Sequence, residues 1–287
     1  MATSTPEPTT TLEPTTTLEP TTTTTSTTPT PTTTPNPCDE NNLNAAEESL
    51  KDKIEIIAIS RKDVDLCNRD AVNAYFANKY FDSVIHCAIV GGSRLKQDSI
   101  NVLDQNLIMY YNLLENKKHF GKFINFGSGA EDTARDTPYG LSKYVIRKSI
   151  ETQDNFYDIK IYAVFDENEL NTRFIKGNIL RYLNKEPMQI YSDKKMTFFY
   201  MKDLVKLVEH IVLTDTEKLI KYNYASYVES LTLSDIANII NEIDSYKVPV
   251  LIGNQKDKDY ISEYNAGYLL DYIGLEEGIR QTFESIK

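Results

Sequence analysis

Within TPYGLSKYVIRK, residues 137–148, Tyr139 and Lys143 stand four apart, a spacing that puts both side chains on one face of a helix. A lysine ammonium beside a phenol stabilises the phenolate and draws its pKa down from ~10, so such a tyrosine can pass a proton to or from a substrate oxygen. A hydroxyl at the end of a preceding strand would hold that oxygen, and Ser128 stands in the right region. The spacing alone carries little weight. In a chain this rich in Tyr and Lys the pattern arises by chance roughly once or twice. It occurs here four times, at Tyr75/Lys79, Tyr139/Lys143, Tyr144/Lys148 and Tyr191/Lys195. Only Tyr139/Lys143 follows a strand ending in Gly-Ser-Gly and a polar loop, then opens a helix after Pro138.

The elements that must position this pair alternate regularly. NLNAAEESLKDK (42–53) is patterned as a helix and IEIIAIS (54–60) as a short buried strand. RDAVNAYFANKY (69–80) follows as an amphipathic helix, DSVIHCA (82–88) as a strand, and 97–118 as a long helix with Ile100, Leu103, Leu107, Tyr110, Tyr111 and Leu114 at helical spacing. Strand KFINFGS (122–128), the helix starting near Tyr139, and strand IKIYAVF (159–165) continue the order. Further on, 172–185 reads as a helix and MTFFYMKDLVKLVEHIV as a short strand running into another. LTLSDIANIINEI (231–243) is a helix with Ser234 as its candidate cap, VPVLI is a strand, and the last residues form a helical end. Strands alternating with helices predict an α/β fold, a parallel sheet covered on both faces.

Composition bounds the rest. Of 287 residues, 1–37 are almost entirely Thr and Pro, with too little apolar surface to offset ordering entropy, so they read as a disordered, extended tail. A net charge of −11 argues against nucleic acid and anionic membrane as partners. No apolar run approaches the ~20 residues that cross a bilayer, and the N-terminus lacks a signal-peptide order. Cys38, Cys67 and Cys87 suggest neither a disulfide framework nor a zinc site, so a reducing, cytoplasmic setting is expected, and no metal. His86 reads as a core residue, and His119 and His210 have no metal-ligand spacing.

DVDL (63–66), SVIHCA (83–88), Asn106 in DQNLIMYYNLLE, FINFGSGA (123–130), TPYGLSK (137–143) and FFYMKDLVKLVEHI (198–211) together resemble the extended short-chain dehydrogenase/reductases, the NAD-dependent epimerase/dehydratase family. Within it, VGG at 90–92 is most similar to GDP-L-fucose synthase-like members; related short forms occur in phage genomes, so a phage or viral gene is one origin the resemblance admits. It spans residues 42–287 and implies a Rossmann-type, doubly wound sheet over about 38–165, with 166–287 mainly a small substrate lobe. It implies NAD or NADP as cofactor and a nucleotide-activated sugar as substrate. Asp65 and Leu66 would lie near the adenine, Cys87 and Ala88 along the dinucleotide, and Asn106 would support the active-site helices. Tyr139 would be the acid/base, and Lys143 would hold the nicotinamide ribose. Ser60, Arg61 and Lys62 after the second strand would suit a 2′-phosphate, which leans to NADP. The resemblance also implies a homodimer through the long helix and the Tyr139 helix.

The sequence departs from that family at its start. Family members open with a strand and a Gly-rich turn that brings backbone to the pyrophosphate; here the first glycine is Gly91. The missing strand belongs mid-sheet, so its neighbours lack a partner. Gly129 aligns where the catalytic hydroxyl usually sits, with Ser128 one residue away. Ala130 and Arg173 stand at the epimerising cysteine and histidine of fucose synthases, and Met196 at the diphosphate-gripping arginine. Arg173, Lys194 and Lys195 remain as candidate substrate contacts. Two readings stay open: a nucleotide-sugar epimerase, dehydratase or reductase, and a noncatalytic relative serving as a binding or structural module.

Overall fold

The computed structural model of the chain describes residues 54–93 and 96–287. The Thr/Pro tail and the expected helix at 42–53 lie outside the described residues. Helix α1 (Arg69–Phe76) starts where the Asn68 side chain accepts from the Ala71 backbone N–H, and it turns Val72 and Phe76 inward. It stops short of Tyr80 because Asn78 adopts a φ of 59°, a left-handed conformation that ends helices. Then come β1 (Phe81–His86), α2 (Asn101–Glu115), β2 (Phe120–Ser128), the single turn α3 (Ala130–Thr133), α4 (Pro138–Glu151) and β3 (Phe156–Ile161). The second half runs β4 (Ala163–Phe165), α5 (Phe174–Leu183), β5 (Met188–Ile190), β6 (Lys195–Met196), β7 (Phe198–Tyr200) and α6 (Met201–Leu213). It closes with β8 (Tyr222–Ala225), β9 (Leu231–Thr232), α7 (Leu233–Asn241), β10 (Val250–Ile252) and α8 (Leu275–Ile286).

Strands β1, β2, β3 and β8 form one parallel sheet in that order. Alternation along each strand divides its side chains between two faces. Ile124, Phe126, Ile159 and Ile161 pack with Leu204, Leu207, Val208 and Ile211 of α6. On the other face Phe120, Phe123 and Phe156 pack with Tyr110 and Leu113 of α2 and Ile146 and Ile150 of α4. This is the doubly covered α/β arrangement that the element order predicts. Lysines tie the helices to the sheet at their C-terminal ends, where carbonyls lack partners. Lys122 of β2 donates to the Ile211, Val212 and Thr214 carbonyls (3.0, 2.6 and 2.6 Å), and Lys221, just before β8, does the same for the last carbonyls of α4.

Three expectations need correction. Residues 54–60 form no strand; they are irregular, and Ile57 and Ile59 are exposed. A strand exists only through a hydrogen-bonded neighbour, and among the described residues β1 pairs with β2 alone. Residues 159–165 are not one strand either. The chain turns at Tyr162, and β4 leaves the main sheet to pair in parallel with β7. The cap of α7 is Thr232, in a reciprocal capping box with Asp235, whereas Ser234 bonds Asp193.

The C-terminal elements share a core in which Ile175, Ile179 and Tyr182 meet Ile236, Ile240, Ile279 and Phe283. Asp203, wholly buried in the first turn of α6, accepts from the Ile273 and Gly274 backbone N–H groups (2.7 and 2.9 Å) and from the Tyr227 hydroxyl (2.6 Å). That single carboxylate fixes where α8 begins. Asp203→Ala strands three half-buried donors and should cost about 2 kcal/mol or more, read as a lower urea midpoint; a loss below about 1 kcal/mol would contradict the role.

Candidate active site

Helix α4 begins where the sequence places it. Thr137 caps it by accepting from the Gly140 N–H, and Pro138 fills the first turn, where no N–H is needed. Gly140 has no room for a side chain, since a Cβ there would lie 2.0 Å from the Ala134 carbonyl oxygen. The loop therefore packs directly on the helix start, one residue beyond Tyr139.

Tyr139 lies against the turn that follows β1. Gly92 has a φ of +76°, and a Cβ on it would lie 2.8 Å from the tyrosine ring. Asp98 accepts from the Gly92 N–H (3.1 Å) and holds that turn. Asn106, buried on α2, links turn and helix: it exchanges two hydrogen bonds with the Val90 backbone and donates to Ser142 Oγ (3.0 Å). Ser142 in turn donates to the Tyr139 carbonyl (2.7 Å). One turn along α4, Lys143 is buried, its Nζ donating to the Phe126 carbonyl (2.5 Å) and lying 6.0 Å from the Tyr139 ring centre. Neighbouring His86, at the end of β1, is held neutral: burial and then the Lys143 charge push its pKa down to about 3.

The other candidates scatter. Ser128 shares its strand face with Ile124 and Phe126, opposite α4, and its hydroxyl accepts from the Ala130 N–H (3.2 Å). Gly129 sits under the Tyr162 ring and the Tyr260 hydroxyl. Asp65 uses its carboxylate locally, on the Cys67 N–H and on Arg61, and Leu66 packs in the apolar layer beneath α1. Cys87 and Ala88 follow β1 half-buried. Arg173 precedes α5 and faces Glu169 (3.6 Å), whose carboxyl burial pushes up to about 7. Lys194 pairs with Asp257 (3.2 Å), Lys195 is exposed on β6, and Met196 points into the C-terminal core.

With this geometry in hand, the model of the NAD-dependent epimerase/dehydratase family matches residues 43–224. The chain belongs to that family. Solved structures of similar fold include the GDP-mannoheptose C4 reductase of Campylobacter jejuni with NADP bound (14% identity, TM-score 0.66, covering 85% of this chain and 94% of that one). A GDP-L-fucose synthetase from Naegleria fowleri bound to NADP (15%, 0.65, 85% and 88%) and the UDP-glucose 4-epimerase of Thermotoga maritima with UDP-glucose (15%, 0.65, 85% and 94%) are alike to the same degree. No curated protein sequence matches the chain.

For a member of this epimerase/dehydratase family, the residues fit a dinucleotide at one end only. Tyr139 and Lys143 of α4 and Asn106 of α2 are brought together and offer polar groups of the kind a nicotinamide ribose needs. At the pyrophosphate end the chain has no glycine before Gly91, and residues 54–60 stand outside the sheet. The structure also reveals charged residues that pattern reading passed over: Glu131, Asp158 and Lys160, all buried, with Arg147 of α4 beside them. A signal was available in FYDIKI, where Asp158 and Lys160 stand two apart on one face of a central strand.

Gly92 and Gly274 separate strain from contact. Both have positive φ, but nothing lies within 4 Å of a Cβ at Gly274, whereas Tyr139 fills that space at Gly92. Gly274→Ala should cost about 1 kcal/mol from backbone strain alone, and Gly92→Ala about 1–3 kcal/mol more. Equal denaturant midpoints for the two variants would contradict the packing of Tyr139 on this turn.

Proposed function

We propose that the chain is an NAD(P)-dependent enzyme acting on a nucleotide-activated sugar, as a reductase, dehydratase or C4 epimerase. The observation that supports this best is the hydrogen-bond chain from Asn106 through Ser142 to the Tyr139 carbonyl, with Lys143 buried one turn along the same helix. Bound nicotinamide supplies or accepts the hydride. Tyr139 gives or takes the proton at the substrate oxygen, and the neighbouring Lys143 ammonium favours the phenolate while holding the ribose. Asn106 keeps the Tyr139 turn of the helix in register with the loop after β1, so the phenol is oriented before substrate arrives. Ser60, Arg61 and Lys62 favour NADP over NAD, since all three are exposed beside the turn that Asp63 organises.

Arg173, Lys194 and Lys195 are proposed as substrate contacts, with the two lysines at the diphosphate. The fucose-synthase route of epimerisation is disfavoured, because Ala130 and Arg173 replace its two acid/base positions. A homodimer through α2 and α4 is also proposed, because Ile108 and Tyr111 on α2 and Leu141 on α4 are apolar yet exposed. A second reading, a noncatalytic relative used as a binding module, is favoured by the lack of any glycine before Gly91.

Calorimetry with NADPH and NADH decides between the two. Binding in the micromolar range supports the enzyme, and no heat at millimolar cofactor supports the module. If binding occurs, Tyr139→Phe should retain it and lower turnover by at least about 100-fold; an unchanged rate would reject the role of Tyr139. Light scattering at micromolar protein should give twice the monomer mass, and a monomer would count against the paired helices.

A further inference from the structure

The sheet face beneath α4 changes character along its length. At the N-terminal end of the strands it is apolar, with Phe120, Phe123 and Phe156. Towards the C-terminal end it carries Asn125 and Gly127 on β2, Asp158 and Lys160 on β3, and Tyr222 and Tyr224 on β8. Glu131 of α3 enters this layer wholly buried. Its Oε1 accepts from the Ser128 N–H (2.8 Å), and its Oε2 lies 3.3 Å from Lys160 Nζ and 3.4 Å from Arg147. Asp158 accepts from Asn125 Nδ2 (2.6 Å).

The two carboxyls meet at Gly127. A Cβ there would lie 2.5 Å from Asp158 Oδ2 and equally close to Glu131 Oε1, so the absent side chain is the space in which these oxygens face each other. Asn125, also buried, spends its amide nitrogen on Asp158 and leaves its Oδ1 without a partner. Two like charges within about 5 Å of each other in a dry layer repel strongly. A single proton on the pair removes that repulsion.

We propose that Glu131 and Asp158 form a proton-sharing carboxyl pair at the foot of the Tyr139 helix, and that Glu131 is a positioning residue for that helix through Arg147. The bearing on Tyr139 rests on the proposed reading of that tyrosine as the acid/base. The groups facing the pair are Lys143 and Arg147 from α4, Asp132 from α3, Lys160 from β3, Tyr222 and Tyr224 from β8, and His86 from β1. Burial, and then Asp158, push Glu131 up to about 7. Burial also raises Asp158, while Asn125 and the cations Lys143, Arg147 and Lys160 pull it back. Lys160 joins Glu131 to half-exposed Asp132 (2.5 Å), through which the proton exchanges with water. Because the folded chain binds this proton more tightly than the unfolded one, the stability it contributes is full below about pH 4.5. That contribution is lost as pH rises through about 7.

Carboxyl-carbon NMR on Asp- and Glu-labelled chain, titrated from pH 4 to 9, tests this without cofactor. Glu131 should titrate near neutrality, its signal assigned by its loss in Glu131→Gln; Glu169, also raised, is assigned by Glu169→Gln. In the wild-type chain both the Glu131 and the Asp158 carbons should trace the same step, so the test survives a variant that fails to fold. Asp158→Asn should lower the Glu131 midpoint by about one pH unit or more, and Arg147→Met should raise it by about half a pH unit. A Glu131 midpoint in the ordinary carboxylate range, or one indifferent to Asp158→Asn, would overturn the pair. A midpoint indifferent to Arg147→Met would overturn the link to the helix. Failure of NADPH to bind would defeat the proposed enzyme and leave these titrations standing.

Discussion

The arrangement depends on how α4 is seated on the sheet. A helix that docks through apolar contacts alone can slide or rotate by fractions of an ångström at small cost, because dispersion has little directionality. Here Ile146 and Ile150 give α4 an apolar footing, while Lys143 and Arg147, interleaved with them, engage directional partners. The lysine reaches a strand carbonyl and the arginine reaches Glu131 and the Tyr224 hydroxyl. Helix rotation is therefore set by hydrogen-bond geometry, and with it the direction in which the Tyr139 phenol points. Asn106 adds the third constraint from the neighbouring helix.

Much of this was legible in the sequence because local signals agreed with tertiary ones. Thr137 and Pro138 mark the helix start, and the alternation of strands and helices predicts the parallel order. The structure agrees at β1, β2, α2, α4 and α6. The misreadings have physical causes. Residues 54–60 carry a strand's composition, but a strand is a property of a pair, and its neighbour is not among the described residues. Tyr162 gives no sign that the chain leaves one sheet for another, because the break is made by pairing with β7. Strand β8, with only four residues, is too short for its alternation to stand out. Candidate site residues carried by the packed helices α2 and α4, Asn106, Tyr139 and Lys143, are found together, whereas those carried by loops, such as Arg173 and Lys194, are engaged in ion pairs of their own.

The two ends of the proposed dinucleotide site differ in what they require of the chain. The proposed nicotinamide end would use side chains on α2 and α4, which hydrogen bonds between those helices hold. The pyrophosphate end in this family is built from backbone, and backbone needs glycine and a well-seated strand. Side chains held between two helices and backbone held by a strand are separate structural requirements.

Gly127 carries a consequence for related sequences. Its missing side chain is occupied by oxygens from two distant residues, so any larger residue there must displace Glu131 and Asp158 at once. A lineage cannot change the glycine first, and once both acids are gone nothing preserves it. The three positions should drift as a block, and a relative that keeps one of the acids beside an alanine at 127 must have rebuilt the layer beneath its helix by another route.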